Sequence, residues 1–359
     1  MSITRERIKY FDTLRALAII SIIAVHVFQT FPHVEVMHFR IYSLIEVVRF
    51  GVPIFLMLSG ALLLNREIDL GTFFKKRFTR LTYPYILYLI IYVMVLYLLI
   101  VNFSVFSDLN IYFKSIPLSY NWYFYLIASL YLSIPIINKF IQYSSLKEIE
   151  YFITIFLFGS LFYQIMLYFK ITHFIDLSLF VGPIGYLILG YYLANKDFKI
   201  SNNKIISLAI MLFLITTMLK VCGELSIIPS FHIFDAESKL TNSFLDVGIL
   251  QILQSAAVFV AFKYIYESKT GIYSKIRKYL ENKTVNSVHL SLSKASYGMY
   301  LFHHTLVEPI RIILAGFALS GSLVCLLIII LTIFISFVSW MVVVVLHKIP
   351  IIGKCSGYH

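Results

Sequence analysis

Long apolar runs recur along almost the whole chain, and short polar stretches separate them. A helix needs about 20 apolar residues to cross the hydrocarbon core of a bilayer. Runs of about that length predict ten membrane helices, at residues 13–31, 41–65, 81–103, 122–142, 151–169, 177–195, 204–222, 246–266, 295–315 and 321–346. The pattern therefore predicts an all-α fold: a polytopic integral membrane helical bundle that forms a single domain over residues 1–359.

Composition and charge agree with this pattern. Hydrophobic residues make up 60% of the chain and charged residues only 13%, which is too apolar for a soluble protein of this length. The net charge of +12 belongs to no soluble basic stripe with interleaved aromatics, so no nucleic acid partner is expected. Most Lys and Arg residues fall on one side of the membrane if the N-terminus is cytoplasmic, which predicts that both termini are cytoplasmic. The three Cys residues are widely separated and indicate neither a disulfide framework nor a metal site.

The apolar run at residues 10–31, which contains the first predicted helix, keeps three ionisable residues, Asp12, Arg15 and His26. Each such group costs about 2.5 kcal/mol or more at membrane depth, so their presence indicates a function. Eleven positions separate Arg15 from His26, which places both on one helix face about 16 Å apart along the axis. His26 then lies deep, near the outer side, and the other two lie at the cytoplasmic interface. For Asp12 and Arg15 the alternative to a catalytic role is an interfacial ion pair that fixes the helix.

Two further predicted helices carry polar residues to about the depth of His26. These polar residues are Glu46 and Arg49 in the second predicted helix, and His303, His304 and Glu308 in the ninth. Polar groups that converge at one level indicate a buried site, because a lipid-facing surface does not tolerate them. Glu46 could orient and charge-stabilise His26, or it could pair with Arg49 one turn away.

The basic residues of the segment TFFKKRFTRLTYPY precede the third predicted helix at the cytoplasmic surface. Its residues Lys76, Arg77 and Arg80 can bind phosphate groups, or they can anchor the helix to anionic lipid headgroups. At the opposite surface, Trp122 could stack on a sugar or belong to an interfacial aromatic belt.

The stretch FDTLRALAIISIIAVH, in which an Arg is followed by a His after ten residues, resembles the N-terminal signature of the acyltransferase 3 family of integral membrane acyltransferases. The resemblance continues through RFGVPIFLMLSGALLL, the Arg-x-x-Arg motif of KKRFTRLTYPY, NWYFYLIASLYLSIPII and SYGMYLFHH, in that order. Within the family, the chain is similar to the O-acetyltransferases of bacterial surface polysaccharides.

The resemblance implies an O-acetyltransferase of the bacterial cell membrane. The acyl donor would be cytoplasmic acetyl-CoA, with no metal, and the acceptor a hydroxyl of a cell-envelope glycan or its lipid-linked precursor. His26 would be catalytic, as a general base or through an acyl-His intermediate, and imidazole suits a base near neutral pH. Glu46, Arg15 and Asp12 would assist it; Arg15, Lys76, Arg77 and Arg80 would bind the coenzyme; and Arg49, Trp122, His303, His304 and Glu308 would contact the acceptor or support the site.

A carrier or flippase for a lipid-linked glycan is the alternative function. Such a protein would use the same buried polar residues as a translocation site. It would not need a base eleven positions from an Arg, and no paired broken-helix repeats are evident in the sequence.

Overall fold

The structure, a computed structural model, describes residues 7–31, 34–36, 39–103, 109–169, 177, 180–224, 248–314, 316–317 and 319–359. Twelve helices account for most of this part of the chain: α1 (Lys9–Phe28), α2 (Gly51–Leu63), α3 (Leu70–Phe103), α4 (Leu109–Tyr143), α5 (Leu146–Phe169), α6 (Pro183–Asn195), α7 (Asn202–Glu224), α8 (Ile249–Glu267), α9 (Gly271–Leu280), α10 (Lys283–Phe302), α11 (His304–Leu314) and α12 (Gly321–Lys348). Short 3-10 helices cover Ile41–Val47 and Ile352–Cys355, and the strands β1 (Glu35–Val36) and β2 (Phe39–Arg40) form a two-residue antiparallel pair.

Eight helical stretches in this part of the chain are long and apolar enough to cross a membrane. They are Lys9–Phe28, Ser43–Leu63, Leu70–Leu98, Trp122–Tyr143, Leu146–Met166, Asn202–Gly223, Ile249–Glu267 and Gly321–Lys348. The predicted class, an all-α polytopic membrane protein, is confirmed. The structure differs from the prediction at 177–195 and 295–315. The first region contains only the shorter helix α6, and the second is divided between α10 and α11. Hydropathy reflects composition alone, so it does not indicate where a helix is interrupted. Most of the segment 223–245, between the helices predicted at 204–222 and 246–266, lies outside the described residues.

Local signals in the sequence explain where two long helices begin. Ser145 and Glu148 form a reciprocal capping box before α5: the Ser145 N–H donates to Glu148 Oε2 at 2.6 Å, and the Glu148 N–H donates to Ser145 Oγ at 3.4 Å. Asp69 Oδ2 accepts the Thr72 N–H at 2.8 Å and caps α3. Because α3 begins at Leu70, the basic segment lies within its first turns and not in a preceding loop.

The described chain divides into two compact units. Unit 1 comprises Met1–Ser21, Arg49–Leu62 and Ser145–Ser293, and unit 2 comprises Ile22–Val48, Leu63–Ser144 and Lys294–His359. Each unit is therefore assembled from segments that are distant in sequence.

In unit 1, two glycines allow α2 and α6 to approach backbone to backbone. A Cβ on Gly60 would lie 1.8 Å from the Leu187 carbonyl oxygen, and a Cβ on Gly190 would lie 2.1 Å from the Met57 carbonyl oxygen. Each glycine thus makes room for the other helix, as small residues do where membrane helices cross closely.

Replacing Gly60 with Ala is therefore expected to destabilise unit 1 by about 1 to 3 kcal/mol, since the new methyl group meets backbone that cannot rotate away. We expect the midpoint of thermal unfolding in detergent to fall by several degrees. Gly71→Ala is the matched control, because a Cβ there would meet nothing closer than 3.8 Å. Equal midpoints for the two variants would contradict the close crossing of α2 and α6.

Also in unit 1, α7 and α8 enclose a buried polar ladder. Lys220 Nζ donates to Gln251 Oε1 at 2.5 Å and to Gln254 Oε1 at 3.4 Å, and Gln254 Nε2 donates to Thr217 Oγ1 at 2.7 Å. Lys220, Gln251 and Gln254 are all buried. Buried polar groups that are bonded across two helices hold those helices in register where hydrophobic packing against lipid cannot.

Unit 2 is built around α3. This helix packs against α4, α11 and the 3-10 helix Ile352–Cys355, which also packs against α12. Two tyrosines tie these elements together: the Tyr297 hydroxyl donates to the Leu81 carbonyl, and the Tyr88 hydroxyl donates to the Ser356 carbonyl, both at 2.8 Å. All the histidines that the sequence singled out lie in this unit.

Candidate active site

His26 lies in the last turn of α1, and its ring is held by a residue one turn further on. Its Nδ1 lies 2.8 Å from Gln29 Oε1. An amide oxygen can only accept a hydrogen bond, so Nδ1 carries the proton and the neutral ring keeps its lone pair on Nε2. That is the tautomer which a general base needs when Nε2 faces the substrate.

His303 occupies the break between α10 and α11, and it is completely buried. Its Nδ1 donates to the Tyr300 carbonyl oxygen at 2.6 Å, with the Met299 carbonyl at 3.3 Å. The neutral His303 ring consequently keeps its lone pair on Nε2, as the His26 ring does. Among the described residues, no hydrogen-bond partner lies within reach of that buried Nε2 atom.

The structure brings His26, His303 and His304 into one cluster within unit 2. One ring nitrogen from each lies within 4.8 Å of the others. The ring centroids are 4.3 Å apart for His26 and His304, 4.3 Å for His303 and His304, and 5.1 Å for His26 and His303. Both members of the late His pair therefore adjoin His26, as their shared depth in the sequence predicted.

Three imidazoles at this spacing could also hold a metal ion. Zinc sites of catalytic type use three protein ligands, and a ligating His commonly donates its other ring N–H to a carbonyl oxygen. His26 and His303 both have an Nδ1–H that is bonded in this way. The expectation from the sequence that the protein uses no metal stays a prediction.

Glu46 and Arg49 lie where the second predicted helix is interrupted. The 3-10 helix Ile41–Val47 carries Glu46, and Arg49 belongs to the turn before α2. The Glu46 side chain is only 2% exposed. Since Gln29 occupies the Nδ1 atom of His26, Glu46 does not orient the ring through that atom, and a charge-stabilising role for Glu46 stays a prediction.

A series of aromatic rings connects Trp122 to the His cluster. Trp122 contacts Tyr123 edge to face with centroids 5.9 Å apart, Tyr123 lies 4.8 Å from Tyr300, and Tyr300 lies 5.6 Å from His303. Trp122 is thus continuous with the cluster through two tyrosine rings.

The remaining acidic residue of this region, Glu308, is engaged in a local ion pair. Its carboxylate accepts hydrogen bonds from Arg311 at 2.6 and 3.1 Å, one turn along α11. The Glu308 carboxylate is therefore paired with a residue of its own helix.

In unit 1, the start of α1 makes structural contacts of its own. Asp12 accepts hydrogen bonds from Arg7 and, at 2.7 Å, from Ser293 Oγ. Asp12 therefore forms an ion pair with Arg7 near the start of α1. Next to it, the Thr13 hydroxyl lies 3.1 Å from His289 Nδ1, and burial lowers the pKa of that imidazole. Arg15 lies on the same helix, half-buried.

The cations of the basic segment have different surroundings. Lys75 and Lys76 are exposed on α3, and the Arg77 guanidinium lies over the rings of Phe73 and Tyr131, 5.8 and 6.0 Å from their centroids. Arg80 instead lines a cavity of about 510 Å³. Within residues 75–80, Arg80 is therefore the cation best placed to meet a ligand.

Gln29 was not singled out from the sequence, although it lies three positions after His26 on the same helix face, a spacing at which helical side chains meet. That spacing is the feature of the sequence that could have identified Gln29.

Comparison with known proteins bears on the identity of the chain. No curated protein and no solved structure matches it. The sequence does match the acyltransferase domain of the acyltransferase 3 family over residues 8–341, a range that includes α1, the basic segment and the His cluster. The chain therefore belongs to the acyltransferase 3 family of membrane acyltransferases.

Proposed function

We propose that the protein is an O-acetyltransferase of the bacterial cell membrane. It takes the acetyl group of cytoplasmic acetyl-CoA and transfers it to a hydroxyl of a cell-envelope glycan or of the lipid-linked precursor of that glycan. Membership of the family supports acyl transfer in general. The choice of donor and acceptor rests on the resemblance to surface-polysaccharide enzymes and on the cationic groups of α3.

The observation that carries the proposal is the state of the His26 ring. Gln29 holds the proton on Nδ1, so Nε2 presents a lone pair within the His cluster. Packing alone does not require a polar imidazole at this depth of a membrane helix, least of all one with its proton fixed on Nδ1 and Nε2 left as an acceptor.

The reaction then follows in two proton transfers. Nε2 of His26 takes the proton of the sugar hydroxyl while the hydroxyl oxygen attacks the thioester carbonyl carbon. The tetrahedral intermediate expels the coenzyme sulfur as the C–S bond breaks, and the Nε2–H of His26 returns the proton to that sulfur. General base catalysis of this kind contributes about 10² to 10⁴ in rate.

His303 is suited to support the protonated state of His26. Its own Nδ1–H is fixed on the Tyr300 carbonyl, and its buried Nε2 can only accept a hydrogen bond while the ring is neutral. The neutral His303 ring, whose centroid lies 5.1 Å from that of His26, would add no positive charge beside the His26 imidazolium during the reaction.

The Gln29 contact gives a testable expectation. Gln29→Leu should lower kcat about tenfold, because losing a hydrogen bond worth about 1 to 1.5 kcal/mol leaves the tautomer and orientation of His26 unfixed. The KM for acetyl-CoA should stay the same. Gln29→Glu keeps an acceptor for Nδ1–H and should retain more activity than the Leu variant. Equal kcat values for wild type and Gln29→Leu would remove Gln29 from the mechanism.

A carrier for a lipid-linked glycan is the second candidate, and one structural observation favours it. The backbone is interrupted at residues 48–50 and again at His303, and transporters often bind substrates at discontinuous membrane helices. The two functions differ in cells that lack the protein. We expect the surface glycan to be exported without its base-labile acetyl esters. A glycan that is absent from the surface would indicate the carrier.

Orientation can be tested separately. A reporter fused after His359 should be active only in its cytoplasmic form, and one inserted in residues 225–245 only in its extracytoplasmic form, because most Lys and Arg residues then lie inside. The reverse result at both sites would place Arg80 on the wrong side for cytoplasmic acetyl-CoA.

A further inference from the structure

The C-terminal segment His347–His359 lies beyond the range that matches the family, yet it belongs to unit 2. Its 3-10 helix Ile352–Cys355 contacts α3 and α12. The His359 N–H donates to the Lys294 carbonyl at 2.9 Å, and the rings of His347 and Tyr358 stack with centroids 4.5 Å apart. The segment is therefore a defined part of the fold and not a loose tail.

Two glycines allow this segment to lie directly on α10. A Cβ on Gly298 would lie 2.3 Å from the Ser356 carbonyl oxygen, and Gly357 has a φ of +73°, a conformation that favours glycine. A Cβ on Gly357 would in turn lie 2.8 Å from the Gly298 nitrogen. The close approach holds the backbone of Ser356 and Gly357 against α10.

The C-terminal segment and α3 line the two sides of the cavity that contains Arg80, and this cavity is open to the surface. The cavity has a volume of about 510 Å³, within the range of small-molecule sites. Its lining residues include Arg80, His347, Lys354 and His359. Arg80 and Lys354 bring two positive charges and His347 adds an imidazole, whereas the His359 ring is hydrogen-bonded to the backbone of Arg80 and Tyr358. No acidic side chain is among the residues that line the cavity. Such a set of donors matches a phosphate group.

We propose that the C-terminal segment completes a phosphate-binding cavity with Arg80, and that Lys354 is its second cationic ligand. The assignment of the phosphate to coenzyme A rests on the proposed function. The nucleotide end of coenzyme A carries phosphates, and the cavity lies at the end of α3 that the charge pattern places in the cytoplasm. An anionic phospholipid headgroup is the other source of phosphate at this surface.

The test compares Lys354→Ala with Lys348→Ala. Lys348 is exposed at the end of α12, close in sequence to Lys354, but it does not line the cavity. The two variants therefore change net charge equally. Binding of coenzyme A is measured by calorimetry on full-length protein in nanodiscs of phosphatidylcholine. We expect Lys354→Ala to weaken binding about tenfold or more, since it removes a charge-assisted contact, and Lys348→Ala to change it less than about twofold.

Two further measurements identify the source of the phosphate. Transfer from S-acetylpantetheine, a donor without phosphate, should be equal in Lys354→Ala and wild type. Phosphatidylglycerol retained by the purified protein, counted by native mass spectrometry, should also be equal. Loss of the retained lipid in Lys354→Ala with unchanged coenzyme A binding would overturn the coenzyme assignment and make the cavity a headgroup site.

Equal coenzyme A binding and equal lipid retention in the two Lys variants would overturn the proposal altogether. Failure of the proposed function has a different signature, because wild-type protein would then bind no coenzyme A at all. The lipid measurement alone would in that case decide whether the cavity binds phosphate.

Discussion

Replacing His26 with Gln is expected to lower acetyl transfer by at least about 10²-fold while the protein stays folded. Gln keeps a polar side chain of similar reach that can still form hydrogen bonds with its neighbours. It cannot take up a proton near neutral pH, however, and so cannot act as the base. A His that served only to link helices would tolerate this change in part, so the Gln variant separates the two roles more sharply than His26→Ala does.

Two controls accompany this measurement. Binding of acetyl-CoA to the Gln variant should stay within a few fold of wild type, since His26 acts on the acceptor proton. His289→Gln provides a matched substitution at a half-buried His that contacts Thr13, and it should leave transfer nearly unchanged. A well-folded His26→Gln protein that keeps more than about a tenth of wild-type activity would show that His26 is not the base. His303 and His304 would then be tested in the same way.

Replacing Arg80 with Ala is expected to raise the KM for acetyl-CoA about tenfold to a hundredfold with little change in kcat. Arg80 lines the cationic cavity, and a charge-assisted contact to phosphate is worth about 1.5 to 3 kcal/mol. Lys at this position should restore only part of the affinity, because it lacks the two-pronged geometry of the guanidinium.

Arg77→Ala is the natural comparison, because the residue belongs to the same Arg-x-x-Arg motif. Its guanidinium lies over the rings of Phe73 and Tyr131, so we expect a smaller effect on KM and a larger one on the packing of α3 against α4. Equal effects of the two substitutions on KM would contradict the distinction between a cavity residue and a packing residue. An unchanged KM in both would return the basic segment to its interpretation as a lipid anchor.

The sequence predicted the helices well where composition alone decides the outcome. Runs such as Gly321–Lys348 have to be helical in a membrane, because no other single-segment structure satisfies the backbone there. The breaks at residues 48–50 and at His303 were not predicted, since each lies within a run that is long and mostly apolar. The start of α3 was placed too late, because its first turns are basic while its cap, Asp69, lies further upstream.

The candidate site was predicted in part. The common depth of His26, His303 and His304 followed from helix direction and the positions of these residues along each run, and the structure brings the three together. Other features depend on tertiary contacts, which produce no periodic pattern in the sequence. The packing of the C-terminal segment onto Gly298 is one of them, and so is the position of Arg77 over the Tyr131 ring.

Acceptor-dependent transfer by the purified protein tests the central claim most directly. The protein is reconstituted in proteoliposomes with lipid-linked glycan on the lumenal side and radiolabelled acetyl-CoA at the face that carries Arg80. The account predicts one acetyl ester on the glycan for each free coenzyme A thiol released, and no release above background with His26→Gln. Movement of the glycan across the bilayer without any incorporation of label would contradict it.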